Sequence, residues 1–254
     1  VAAEEVLMVD PGRLNFALYK NIPENVKKVE ERNPAILFKC VKNPTEVENI
    51  RIAEIKDSVA HVRFMKWLKE NVGKETITEM SASDKLDEFR AEMGGFIRPS
   101  FGPISAFGEH SAIVHYSSSP ETDVELHEGS FLMTDTGAGF YEGSTDITRT
   151  YAFGEVSQIM KDHFTLVAIS NLNLASPIFK KGCCGMNFDY LARKPFWDRG
   201  LDFNHGTGHG VGYLLNIHEG PAGFRYTYRA GESDAFQPGM VITDEPGIYI
   251  EGSH

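Results

Sequence analysis

A chain of 254 residues with 41% hydrophobic content is long enough for one large domain or two modest ones and buries a real core, so it reads as a soluble globular protein. A net charge of -11 argues against nucleic acid or an anionic membrane as partner, because phosphate binding depends on a concentrated basic surface. No continuous apolar stretch reaches membrane-spanning length, and no basic segment followed by an apolar one opens the chain.

The three cysteines include the neighbours Cys183 and Cys184, for which a mutual disulfide would be strained. A reducing, cytoplasmic setting fits this usage, and the lack of CxxC spacing speaks against a cysteine-built zinc site. The chain begins at Val1 rather than methionine and ends after Glu251-Gly252-Ser253-His254, so it reads as a fragment.

In chain order, Val6 to Val41 reads as short extended pieces: a turn at Asp10-Pro11-Gly12, an apolar run from Leu14 to Tyr19, then Ala35 to Phe38. Thr45 with Glu48 forms a capping box that starts a helix. Along it Ile52, Ile55, Val59, Val62 and Met65 make one apolar stripe as far as about Val72, before Gly73. A second capping box, Thr76 with Glu79, opens a segment carrying Met80, Leu86, Phe89 and Met93 that Gly94-Gly95 closes. Strand-like texture follows over Ala112 to Tyr116, Ser130 to Thr136 and Thr145 to Phe153. Helices are expected near Val156 to Phe179 and Met186 to Arg199, and short strands around Leu214 to His218 and Met240 to Asp244. Helices around a mainly antiparallel sheet make an α+β architecture.

Asp135 and Asp146 each lie in a strand-like segment, and the eight residues from Gly137 to Ser144 between them contain three glycines. The two strands can fold back as a hairpin that brings both carboxylates to one face. Either aspartate alone reads as a turn or cap residue. As a pair, two buried carboxylates need a shared proton or a cation, and a divalent metal is the simpler solution.

His205-Gly206-Thr207-Gly208-His209-Gly210 places two histidines four apart, but its alternate glycines disfavour a helix and the glutamate of an HExxH zinc site is missing. Glycines so spaced let a backbone pass close to a ligand while the histidines project into a site. His218 and Glu245 complete the set, with His115 upstream. A lone histidine is more often a hydrogen-bonded structural residue than a ligand. Carboxylates and imidazoles occurring together, with no competing organic-cofactor signature, shift that balance toward a metal site.

These residues resemble a known family. The runs Ala112 to Tyr116, Thr134 to Gly137, Ser144 to Thr150, His205 to Gly212, His218 to Pro221 and Glu245-Pro246-Gly247 are similar, in order and spacing, to the Xaa-Pro aminopeptidase (aminopeptidase P) and prolidase family. The likeness covers roughly Lys42 to the C-terminus, residues 42–254. Residues 1–41 resemble the last part of the separate N-terminal domain of those enzymes.

The resemblance implies a pita-bread fold enclosing two divalent ions, usually Mn2+, with Zn2+ or Co2+ able to occupy the site. By the same resemblance Asp135 and Asp146 are metal ligands, with Asp146 bridging both ions, and His209 and Glu245 bind metal. His115 and His218 would stabilise the tetrahedral intermediate and orient the scissile carbonyl. His205 would line the substrate side, and Glu245 would also move a proton. The reaction implied is hydrolysis of the bond before a proline in second position, by a water whose pKa two cations lower. A homodimer is implied as well.

Family members carry a further metal-bridging glutamate in a strand after the Glu-Pro-Gly turn, and the chain stops at His254 before one. Weak or incomplete metal binding by the 254 residues is therefore expected. The rival readings are a non-catalytic peptide-binding relative, an Xaa-Pro dipeptidase (prolidase), a metal-free creatinase-like hydrolase and a methionine aminopeptidase. The four ligands oppose the creatinase reading, and the His205 and His218 runs oppose the methionine one.

Overall fold

The computed structural model describes residues 5–254. Its contacts divide the chain into Val1–Lys39 and Cys40–His254, a boundary two residues before the one read from the sequence. In the first unit, strand β1 (Val6–Val9) pairs in parallel with β2 (Lys27–Glu30), and a parallel pair requires a crossover. Helix α1 (Phe16–Lys20) lies within that crossover, and α2 (Ala35–Cys40) follows β2. Two apolar runs read as extended are therefore helical. The Asn15 side chain accepts the Ala17 N–H, and the Asn33 side chain accepts the Ala35 N–H, starting each turn.

Helix α3 (Pro44–Asn71) begins earlier than the Thr45/Glu48 pattern suggested. Pro44 has no N–H to lose at the first helical turn, so Asn43 becomes the cap. Its side chain accepts the Glu46 N–H at 3.0 Å, and the Glu46 carboxylate accepts the Asn43 N–H at 2.9 Å. The expected apolar stripe is out of phase with the buried face. Ile52, Ile55, Val59 and Val62 are 38–64% exposed, whereas Ile50, Ala53, Asp57, Ala60, His61, Phe64 and Leu68 are buried. Asp57 and His61 lie inside because Arg90 and Tyr151 satisfy them there, so hydrophobicity alone could not find this face.

Helix α4 (Glu79–Glu92) is capped by Thr78 with Ser81, not by Thr76 with Glu79. Glu79 is instead fully buried, accepting the Phe107 N–H at 2.6 Å and the Tyr116 hydroxyl at 2.8 Å. Gly94 and Gly95, both with φ near +75°, end the helix in a conformation that other residues rarely adopt.

Two antiparallel three-stranded sheets follow. One runs β3 (Phe96–Pro99), β6 (Ala138–Phe140), β7 (Gly143–Ser144), and the other β4 (Ile104–Phe107), β5 (Phe131–Thr136), β8 (Ile147–Ala152). Phe64 and Leu68 of α3 and Leu86 of α4 pack with Leu132 and Tyr151 in the core beneath. Ala112 to Tyr116 is not a strand: a 3-10 turn occupies Gly108–Ala112, and His115 has φ +60°.

Helices α5 (Gln158–Ala175) and α6 (Asp189–Trp197) are shorter than expected. They pack together, with Leu166 against Phe196 and Leu174 against Ala192. The final third forms only the two-residue pair β9 (Gly208–His209) and β10 (Gly223–Phe224). Leu214 to His218 and Met240 to Asp244 are not strands, although a Gly210–Ile242 bridge ties the second to β9.

Candidate metal centre

Strand β5 carries Asp135. The apolar residues before it fix its register, with Leu132, Thr134 and Thr136 buried on one face so that Asp135 projects from the other. Across the ladder Asp135 pairs with Thr148, whose hydroxyl donates to Asp135 Oδ1 at 2.9 Å. Asp146 precedes β8 by one residue and Thr148 by two, which makes it the diagonal neighbour of Asp135 on the same face. The hairpin read from the glycine-rich connection therefore forms, with β6 and β7 as an extra turn inside it. At Gly137 a Cβ would lie 2.1 Å from the Thr145 carbonyl oxygen, so the two chains approach this closely only with glycine there.

The other side of the site is built from β9 and the segment before Glu245. The His209 N–H donates to Thr243 Oγ1 and the Thr243 N–H to His209 O, each at 2.9 Å. The Glu245 N–H donates to Thr207 O at 2.9 Å, and the Thr243 hydroxyl donates to the Glu245 carboxylate. Gly208 permits this approach, because a Cβ there would sit 2.0 Å from Thr243 O.

His209 joins the two sides. Its Nδ1 lies 2.9 Å from Gly210 O, which assigns the proton to Nδ1 and directs Nε2 at the carboxylates. Nε2 stands 3.3 Å from Asp146 Oδ2 and 3.3 Å from Glu245 Oε1.

The electrostatics show an excess of negative charge. Burial, then the charge of Asp146, pushes the Asp135 carboxyl up to about 6. Burial also raises Glu245, and the charges of Asp146 and Asp135 add to it. For His209, burial alone would lower the imidazole; the hydrogen bond to Asp146, the Gly210 carbonyl and the charge of Glu245 override it, and the group is raised.

Among the described residues no three His, Cys, Asp or Glu side chains are gathered into a ready cation cage. The donor set nevertheless fits divalent cations. Three partly buried carboxylates repel one another here with a single imidazole to compensate them, and oxygen with imidazole nitrogen suits Mn2+ or Zn2+.

The remaining histidines are placed differently. The His218 ring lies 4.3 Å from that of His209, nearly edge-on, and burial with the His209 charge lowers its pKa. The His205 ring packs against Phe203 and Tyr249, with Nε2 2.8 Å from the Tyr249 hydroxyl and Nδ1 2.8 Å from Gly206 O. Burial lowers its pKa too. His115 is exposed, and its charge reaches both His205 and His218. Thus Asp146, His209, Glu245 and His218 converge, Asp135 joins them through charge, and His205 and His115 flank them.

Sequence reasoning missed several residues at this site. Tyr249 holds His205, and burial pushes the Asp244 carboxyl up to about 7, against a hydrogen bond from the Asn171 side chain that lowers it. Glu54 of α3, pushed up to about 7 by burial and then by Asp57 and Asp146, is a further acidic group in the field of Asp146. The i, i+3 spacing of Glu54 and Asp57 on α3 was the one available signal for the last of these.

Residues 48–254 match the Peptidase_M24 model, metallopeptidase family M24. A probable Xaa-Pro aminopeptidase P of Botryotinia fuckeliana is 38% identical over 244 residues, 95% of this chain and 37% of that protein. The X-prolyl aminopeptidase of Caenorhabditis elegans, described as a cytosolic enzyme with a di-nuclear active site, superposes with a TM-score of 0.90 at 33% identity. That match covers 98% of this chain and 40% of the other. An Xaa-Pro dipeptidase of Bacillus anthracis gives a TM-score of 0.83 at 29% identity, over 98% of this chain and 66% of that one. The chain spans about two fifths of the curated relatives it matches. Its antiparallel sheets flanked by helices are the pita-bread fold of these structures, and the chain belongs to metallopeptidase family M24.

Proposed function

We propose that this chain carries the dinuclear centre of an Xaa-Pro aminopeptidase, which hydrolyses the peptide bond preceding a proline in second position. The observation that carries the reading is His209 Nε2 standing 3.3 Å from both Asp146 and Glu245, beside the buried Asp135. The likeness to aminopeptidases of this specificity supports it, as does the di-nuclear site described for the Caenorhabditis elegans enzyme.

Asp135, Asp146, His209 and Glu245 would hold two divalent cations, Mn2+ first, with Zn2+ or Co2+ as substitutes. When bound, the pair supplies a Lewis acid and a nucleophilic water of lowered pKa near neutral pH. Glu245 would accept the proton of the attacking water and return it to the leaving proline nitrogen. His218, kept largely neutral, and His115 donate N–H groups where negative charge develops on the carbonyl oxygen. His205, held by Tyr249, lines the substrate side. The tertiary amide before proline has no N–H, so recognition falls to shape and to the carbonyl.

Residues 1–41 would be the end of an N-terminal domain and the working assembly a homodimer. The compartment would be the cytoplasm, a reading supported by the Caenorhabditis elegans enzyme, which is described as cytosolic. Prolidase activity, on dipeptides alone, is the nearest alternative within this reading, supported by the Bacillus anthracis likeness.

The test is a Mn2+-supplemented assay of the full-length protein on Xaa-Pro-Xaa, Xaa-Pro and Met-Ala peptides, with Asp146→Ala as control. Cleavage of Xaa-Pro-Xaa peptides, lost in the control along with bound metal, is expected. Cleavage of Met-Ala alone, or none with no bound metal, would defeat the proposal.

A further inference from the structure

Besides the candidate ligands and the buried Lys42–Glu219 pair, the Cys40–His254 unit buries two Asp–Arg pairs, one behind each side of the site. Asp57 is fully buried and Arg90 1% exposed; Asp189 is fully buried and Arg193 1% exposed. Arg90 Nε donates to Asp57 Oδ1 at 2.8 Å, and Arg193 Nε to Asp189 Oδ2 at 2.7 Å. In both pairs the second carboxylate oxygen accepts a buried threonine hydroxyl, Thr145 on Asp57 and Thr207 on Asp189.

The threonines sit beside the ligands. Thr145 precedes Asp146, and its Oγ1 also accepts the Ala138 N–H at 2.8 Å. Arg90 Nη2 donates to Thr136, the residue after Asp135, at 2.8 Å. Thr207 lies two residues before His209, and its carbonyl receives the Glu245 N–H. Arg193 Nη2 donates to His205 O at 2.8 Å.

We infer that these two Asp–Arg–Thr assemblies are positioning devices that set the separation of the metal-binding side chains, an inference that rests on the proposed metal centre. Successive strand side chains point to opposite faces, so Thr136 anchors β5 from behind while Asp135 faces the site. Asp135, Asp146 and Glu245 repel one another, and that repulsion moves the backbone apart unless something else holds it. Each assembly supplies the hold: the guanidinium fixes the carboxylate, and one carboxylate oxygen accepts the threonine hydroxyl in a single direction. Chemically equivalent anchors on both sides make the centre rigid across the seam between Asp146 and His209.

The experiment uses the full-length protein and Mn2+ as the only ligand, with affinity read by calorimetry and by the spin-resonance signal of free Mn2+. Thr145→Val preserves the volume and removes the hydroxyl; Thr145→Ser restores it; Thr207→Val and Thr207→Ser repeat the comparison on the other side. A loss in Mn2+ affinity of about 10–100-fold is expected for either valine variant, as for outer partners of metal ligands elsewhere, with recovery in the serine variants. Thermal unfolding in chelator serves as the control for folding. A folded valine variant with wild-type Mn2+ affinity, or a serine variant as weak as the valine one, overturns the inference and leaves the metal centre standing. Wild-type protein that binds no Mn2+ overturns both. If Thr145→Val does not fold, the Thr207 pair decides alone.

Discussion

Replacing Arg90 by methionine tests the buried charge arithmetic directly. The guanidinium is 1% exposed and bonds both oxygens of the fully buried Asp57, at 2.8 and 3.2 Å. Methionine fills similar space but leaves the Asp57 carboxylate with the Thr145 hydroxyl as its remaining strong donor. Removing one partner of such a pair costs about 3–5 kcal/mol, because the survivor is a desolvated charge without its counterion. For a unit of this size each kcal/mol lowers Tm by about 2–4 °C, so a fall of about 6–20 °C is expected. The assay is urea unfolding at pH 7 in chelator, which removes any contribution of bound metal, with midpoint and slope fitted together. Asp57→Leu should cost a similar amount, and the double variant should cost less than the two single losses added. Its residual cost is that of the Thr136 hydroxyl losing its Arg90 donor and the Thr145 hydroxyl losing its carboxylate acceptor. A loss below about 1 kcal/mol for Arg90→Met, or strict additivity in the cycle, would refute the reasoning.

Burial lowers the His61 imidazole to about 4 from an ordinary 6.5, so the folded protein takes up this proton less readily than the unfolded chain. Its contribution to stability is complete above pH 6.5 and is lost as pH falls toward 4, by about 3 kcal/mol over the window. His61→Gln, which keeps a partner for the Tyr151 hydroxyl, should flatten the stability-versus-pH curve by that amount; parallel wild-type and variant curves would sink the assignment. Gly208→Ala places a Cβ 2.0 Å from Thr243 O and must push β9 from the segment leading to Glu245. A stability loss of about 1–3 kcal/mol together with weakened Mn2+ binding is expected, and an unchanged Tm with unchanged titration would show that the strand accommodates the methyl.

How much was legible in the sequence differs by element, and the reasons are physical. Asp135 and Asp146 could be paired because a glycine-rich connection between two strand-like runs has one economical solution, the hairpin that forms here. Helix ends were harder: Thr45/Glu48 and Thr76/Glu79 satisfy the capping pattern, yet Pro44 shifted the first cap to Asn43 and the burial of Glu79 left the second to Thr78. The buried face of α3 was hidden for a deeper reason. It carries Asp57 and His61, whose partners Arg90 and Tyr151 lie about 30 and 90 residues away in sequence, so no local hydrophobic pattern marks it. Ala112 to Tyr116 is apolar enough for a strand, but the 3-10 turn before it and the left-handed His115 divert the chain toward the site.

The same distinction separates the candidate ligands from what supports them. Ligand residues advertise themselves because carboxylate and imidazole groups between glycines have few structural uses. Asp57, Arg90, Asp189 and Arg193 look like ordinary surface charges of α3, α4 and α6, and only their near-complete burial sets them apart. Burying four charges costs more than surface placement, and a pair of apolar residues would hold the helices at least as firmly. What an apolar pair could not supply is direction: a hydrogen bond aimed at Thr136, Thr145 or Thr207, each within two residues of Asp135, Asp146 or His209. A core that needed only stability would have no reason to keep these charges, whereas a centre whose ligands repel one another until a cation arrives has such a reason on both of its sides.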